Sequence, residues 1–216
     1  MRSKIKSRLI VFIIFTTIVI LFQTMCFAAT DQAAIYLSTD FSNDSDAKNA
    51  ANYAGLTFRK LGYSIVTGSG ADLYTMTGSG AVVRGYINGS GNNYGLYISA
   101  HGNDEWINMT KGSTDHRIYP ANVTGNWHFV FLDSCSSLAD DDFANAFKTT
   151  SSYSNRGILG WFNTVTTPAT MEFWPYFYSF ATTRSLRQCA LDAASNCELS
   201  TPIRFRGDTS WYGYAW

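Results

Sequence analysis

With 216 residues the chain is long enough to bury a sizeable core. Its 16 Lys and Arg balance 16 Asp and Glu, so it lacks the basic field that a nucleic-acid partner requires. Aromatic residues make up 16%, which suits a packed globular domain or one with a stacking surface.

The chain opens with four basic residues, Arg2, Lys4, Lys6 and Arg8, followed by an uncharged apolar run from Leu9 to Phe22. Cys26-Phe27-Ala28 closes that run with small residues at the positions a signal peptidase reads. Residues 1–28 therefore read as a secretory signal peptide, and the chain as an exported, extracellular protein. The rival reading is an uncleaved anchor, because Leu9 to Ala29 is uncharged and long enough to span a bilayer. Membrane attachment would come only through that leader. Four of the 16 basic residues leave with it, so 12 face 16 acidic ones in a mildly acidic mature domain.

After the leader, strand-like runs alternate with helical patterns. Ala33–Ser38 reads as a strand, Asn43–Asp46 as turn and N-cap, and Ala47–Leu61 as a helix stopped by Gly62. Ser64–Thr67 is a second strand, followed by a Gly/Ser loop over 68–80 and a short helix over Ala81–Ile87. Gly95–Ala100 is the third strand and His128–Asp133 the fourth, with a loop or small hairpin between them. A helix over Asp140–Lys148, a fifth strand over Gly157–Phe162 and helical material over Pro168–Ala194, with a kink at Pro175, come next. Ile203–Arg206 closes the series as a sixth strand. This order predicts one α/β domain over 29–216: an open, mostly parallel, six-stranded sheet with helices on both faces.

In such sheets ligands bind beyond the carboxyl ends of the strands. The third strand runs into "SAHG" and the fourth into "DSCSS", so His101 and Cys135 stand at two strand ends. If the strands are neighbours, roughly 4.8 Å apart, the imidazole and the thiol meet over the sheet edge. A cysteine nucleophile needs its thiolate, and a nearby imidazole draws off the proton. Gly102 leaves room for a substrate chain, and its N–H together with that of Cys135 can hold an oxyanion. Asp133, two residues before Cys135, faces the same side of its strand. Its carboxylate can pair with a basic substrate side chain, with Asp40 beyond the first strand joining it.

Cysteine spacing supports the same site. Of the three cysteines after the leader, Cys189 and Cys197 can bridge across a turn, though not within one straight helix, where their Cα atoms lie roughly 12 Å apart. Cys135 is then the odd thiol of an exported chain. His116 and His128 read as structural, and three scattered histidines do not make a zinc site.

"SAHG" followed by an apolar strand and "DSC" resembles the caspase-like (clan CD) cysteine peptidases, whose paired signature is strand–His-Gly and then strand–Cys. "DAKNAANYAGLTFRKLGYSIV" (46–66) is similar to the first helix and second strand of that fold. "NRGILGWFNTVTTPATMEFWPYFYSF" (155–180) is similar to the segment after the cysteine in gingipain-like and CHAT-type domains. Metacaspases carry a "DSCHSG"-like block, where this chain has Ser136-Ser137 in place of His-Ser. The resemblance implies a Cys135–His101 dyad with Gly102 in the oxyanion site. It also implies Asp133 as a pocket acid favouring Arg or Lys at P1, with Trp161 and Phe162 walling the cleft; Asp40 and Ser99 complete the expected substrate-binding set. The expected activity is a monomeric endopeptidase acting on peptides or proteins, with no cofactor expected; no acidic cluster gives a convincing calcium site, so metal dependence stays open. A thiol transpeptidase would use the same residues. The alternative from another class is an exported binding module that keeps the fold without catalysis.

Overall fold

The structure, a computed structural model, describes residues 31–89, 93–125, 127–197, 199 and 202–215. The signal peptide expected at 1–28 lies outside the described residues. Among those residues no helix is long and apolar enough to cross a membrane.

β1 (Gln32–Ser38) forms where six consecutive residues are buried, as a strand covered on both faces requires. The chain then turns through a short 3-10 segment into α1 (Ser45–Lys60). Asp44 caps this helix, its Oδ1 accepting from the N–H groups of Asp46 (2.9 Å) and Ala47 (3.0 Å). Ala47, Ala50, Ala51, Ala54 and Phe58 fall on one helical face and are buried. Gly62, at φ +97°, reverses the chain behind the helix in the left-handed region that glycine enters without strain.

Two short strands, β2 (Ser64–Ile65) and β3 (Thr75–Thr77), then share the outer edge of β1. β2 pairs with its beginning and β3 with its end. Thr67 spans the break, its Oγ1 accepting from Ile35 N–H (2.9 Å) and donating to the Leu73 carbonyl (3.1 Å). After α2 (Gly80–Ile87) the chain enters β4 (Asn93–Ser99) and a small antiparallel sheet of β5 (His101–Gly102), β6 (Ile107–Asn108) and β7 (Arg117–Ile118). β8 (Phe129–Asp133), α3 (Asp142–Ala146), β9 (Gly157–Trp161), α4 (Thr167–Phe180), α5 (Leu186–Ser195) and β10 (Ile203–Gly207) complete the domain.

The main sheet runs β10-β9-β8-β4-β1-β2, with β3 also on β1, and every pairing is parallel except β10 against β9. The protein is thus α/β with a mostly parallel mixed sheet. It has seven strands where the sequence predicts six: β3 lies in the stretch read as a Gly/Ser loop. Period-two alternation splits the core cleanly. Ile35, Tyr97, Phe131, Leu159 and Trp161 face α1, α4 and α5; Ala34, Ile98, Val130, Leu132 and Ile158 face α2 and α3. The third helix is shorter than predicted, 142–146 rather than 140–148. The long C-terminal helical run breaks at 181–185, not at Pro175, which sits inside α4. Ser185 restarts it as an N-cap, accepting from Gln188 N–H.

The predicted Cys189–Cys197 bridge is not formed. Both thiols are free. Cys189 lies within α5 and Cys197 one residue past its C-cap, so the helical rise from Cys189 to Ser195 carries the two sulfurs apart along the helix axis. Each thiol instead meets a local carbonyl, Cys189 that of Arg184 and Cys197 that of Ala193.

Candidate active site

The register of β4 on β8 builds the site. Ser99 lies opposite Asp133, and Ala100 N–H continues the ladder to the Asp133 carbonyl (3.3 Å). His101 and Cys135 each follow two residues later, so equal steps carry both onto the same rim. A cavity of about 260 Å³ opens there, lined by His101 and Cys135 together with Ser99, Asp133, Ser134 and Thr170. Phe41 and Asp44 come from the segment after β1, and Val165 to Thr167 from the segment after β9. Four adjacent strand ends thus contribute. Asp44 Oδ2 accepts from Thr167 Oγ1 (2.7 Å), tying the two outer segments together. Burial works to raise the Asp44 pKa, but the hydrogen bonds from Thr167 and the α1 N–H groups hold it below the ordinary carboxylate value.

His101 is about one-third exposed, and its Nε2 faces Asp40 Oδ2 at 3.9 Å. The ring of Phe41 packs against the imidazole, centroids 5.1 Å apart. Asp40 is itself fixed: the same oxygen accepts from Lys111 N–H (2.6 Å), and its own N–H donates to Ser38 Oγ (3.2 Å). This corrects the expected placement, since Asp40 stands behind the histidine and does not line the cavity beside Asp133. Cys135 Sγ, half-buried, donates to the Val165 carbonyl at 3.5 Å. The chain turns sharply after it, with Ser136 at φ +53°, an uncommon conformation for a residue with a side chain.

Asp133 forms the buried floor. Its Oδ2 accepts from Tyr97 OH (2.6 Å), and its Oδ1 from Trp161 Nε1 (2.7 Å) and Thr170 Oγ1 (3.1 Å). Burial raises its pKa to about 6, even though hydrogen bonds from Tyr97, Trp161, Thr170 and Ser99 all favour the carboxylate. All four donors are neutral. Asp133 is a carboxylate held by dipoles, with no lysine or arginine among the lining residues.

Three other expectations are corrected. Trp161 is fully buried and walls no cleft; alternation along β9 puts it on the core face with Leu159, where its indole N–H serves Asp133. Phe162 is not among the cavity's lining residues and lies under the Arg204 guanidinium, 3.9 Å from ring centroid to Cζ. Gly102 does not leave space for substrate on its side-chain side. A Cβ there would sit 2.1 Å from Ser134 Oγ and 2.7 Å from the Trp106 carbonyl, so glycine is needed for close packing. Its N–H remains the group of interest. Phe41, Thr166, Thr167 and Thr170 went unread in the sequence, and Asp44 was read only as part of the turn and N-cap. The strand-end rule points to them when applied to β1 and β9 as well as to the His and Cys strands.

Among the described residues no three His, Cys, Asp or Glu side chains group closely enough to hold a metal ion. Compared with known proteins, the chain matches no family model and no curated protein.

Proposed function

We propose that the protein is an exported, caspase-like cysteine endopeptidase that cleaves after Arg or Lys. The observation that carries this reading is the β4–β8 register, which sets a histidine and a cysteine on one cavity floored by a carboxylate. In the reaction, His101 accepts the Cys135 proton and the thiolate attacks the peptide carbonyl. Backbone N–H groups of Gly102 and Cys135 hold the oxyanion. The imidazolium then protonates the departing amine, and water hydrolyses the acyl-enzyme. Asp40, with Oδ2 3.9 Å from Nε2, faces the imidazole from behind and helps to orient the ring. Asp133 receives the P1 cation; a guanidinium would be the first positive charge to reach a carboxylate held by neutral donors.

The test is turnover of arginyl and lysyl fluorogenic peptides by the purified mature chain beside Cys135→Ala. Equal turnover by both proteins would end the reading. One observation favours the non-catalytic alternative: the Cys135 thiol is engaged by the Val165 carbonyl at 3.5 Å. Rapid alkylation by iodoacetamide near neutral pH, slowed by a basic peptide aldehyde, is expected of the enzyme and not of a binding module.

A further inference from the structure

We infer that Ser134 is a third oxyanion donor, a catalytic residue in addition to His101 and Cys135; the inference rests on the peptidase reading. Ser134 lines the cavity and is 1% exposed, and its buried Oγ has no hydrogen-bond partner among the described residues. Comparable hydroxyls at this end of the sheet are satisfied. Ser38 Oγ donates to the Met109 carbonyl (2.8 Å), and Ser137 Oγ donates to Leu132 O (2.7 Å) while accepting from Trp161 N–H (3.2 Å). A buried hydroxyl without a partner destabilises a fold, and alanine would fill the same space without that cost. Something other than the resting fold is therefore served by the oxygen.

Its position says what. Ser134 Oγ lies against Gly102, so close that a side chain there would collide with it, and Ser134 directly precedes Cys135. The hydroxyl thus lies against one of the two residues proposed to hold the oxyanion and belongs to the residue before the other. Gly102 gives up its side chain to admit that oxygen. As the Cys135 thiolate forms the C–S bond, the carbonyl π pair moves onto oxygen and negative charge develops there. Ser134 then donates its O–H as a hydrogen bond and keeps its proton, while His101 delivers the proton that leaves with the amine as the C–N bond breaks. A donor unspent in the resting state and engaged only as charge develops contributes to the transition state selectively.

Ser134→Ala tests this with three readouts. Removing one oxyanion donor should lower kcat/KM on an arginyl amide by on the order of 10²-fold. Affinity for an arginyl peptide aldehyde, which binds as a tetrahedral adduct, should fall by the same factor. The rate of Cys135 alkylation by iodoacetamide, which forms no oxyanion, should stay within about twofold, and the thermal midpoint should be unchanged or higher. Activity within about threefold of wild type would overturn the proposal and leave the dyad standing. So would parallel losses of turnover and alkylation, because they would mean a displaced thiol. Activity retained by Cys135→Ala would instead remove the peptidase reading, and this proposal with it.

Discussion

A histidine meets an aspartate at both ends of the sheet, and the two meetings differ. At the carboxyl end His101 faces Asp40 at 3.9 Å, about one-third exposed, beside a thiol and a cavity. At the amino end His128, just before β8, faces Asp31 at 3.3 Å and is mostly buried. Tyr94 stacks on its ring at 4.5 Å and Trp211 meets it edge-on at 6.3 Å. Burial, opposed by Asp31 and aided by Arg156, holds the His128 pKa below 6.5. The residue types are the same; what separates the sites is the open cavity and the neighbouring thiol. A histidine packed among Asp31, Tyr94 and Trp211, with no nucleophile beside it, serves the fold.

The comparison breaks most sharply in activity. Cys135→Ala and His101→Ala are each expected to reduce peptide turnover by about 10³-fold or more, since on the proposed mechanism they remove the nucleophile and its base. His128→Gln should leave kcat on the same peptides within about twofold and lower only the melting temperature, as a change inside a closed cluster does. A large loss of kcat in correctly folded His128→Gln would mean that the two ends are coupled and that the contrast is wrong.

Next comes the floor of the cavity. Asp133→Asn keeps the shape, and Tyr97 OH can turn to accept from the new amide. Preference for arginyl over uncharged peptides should fall by about 10²-fold, the scale for losing one partner of a buried charge pair. In the wild type, cleavage after Arg should also weaken as pH falls below about 6, where Asp133 takes up its proton. A pH profile of kcat/KM for arginyl against uncharged substrates reads this directly.

How much of this was legible in the sequence follows from range. The strand ends were readable because apolar runs stop abruptly at Ser99 and Asp133, and the two-residue step to His101 and to Cys135 is local. β3 was hidden because Thr75-Met76-Thr77 lies among glycines and serines, and its pairing is set by the end of β1. The Asp133 network was hidden for a similar reason: its donors stand 36, 28 and 37 residues away on β4, β9 and α4. Trp161 shows both sides of this. Its alternation with Leu159 marks it as inward-facing, yet only the fold reveals which carboxylate its N–H serves.

The two ends should also respond to acid in opposite senses, a smaller effect but a discriminating one. Asp133 has a folded pKa of about 6 against an ordinary 3.8, so the fold holds that proton more tightly than the unfolded chain does. The resulting stability is full below about pH 4 and is lost as pH rises through 6, in total roughly 3 kcal/mol. His128, with its pKa depressed, works the other way. Its contribution is full above about pH 6.5 and is lost as pH falls through its lower folded value. Denaturant melts between pH 4 and 7 should therefore show Asp133→Asn removing a loss that grows with pH, and His128→Gln removing a loss that grows with acid.

The smallest effect concerns the remaining thiols, and it extends the contrast from histidines to cysteines. Burial raises the pKa of both Cys189 and Cys197 to about 11, so neither offers thiolate near neutrality. One equivalent of iodoacetamide should label Cys135 alone in the native protein, and all three thiols should label after denaturation. Cys189→Ala, which removes a sulfur packed beside Leu186 and Ala190, should cost about 1 kcal/mol, and Cys197→Ala no more. Neither should show the 2–5 kcal/mol loss that accompanies removal of a native disulfide. A loss of that size, abolished by reductant in the wild type, would mean that α5 unwinds to let the two sulfurs meet.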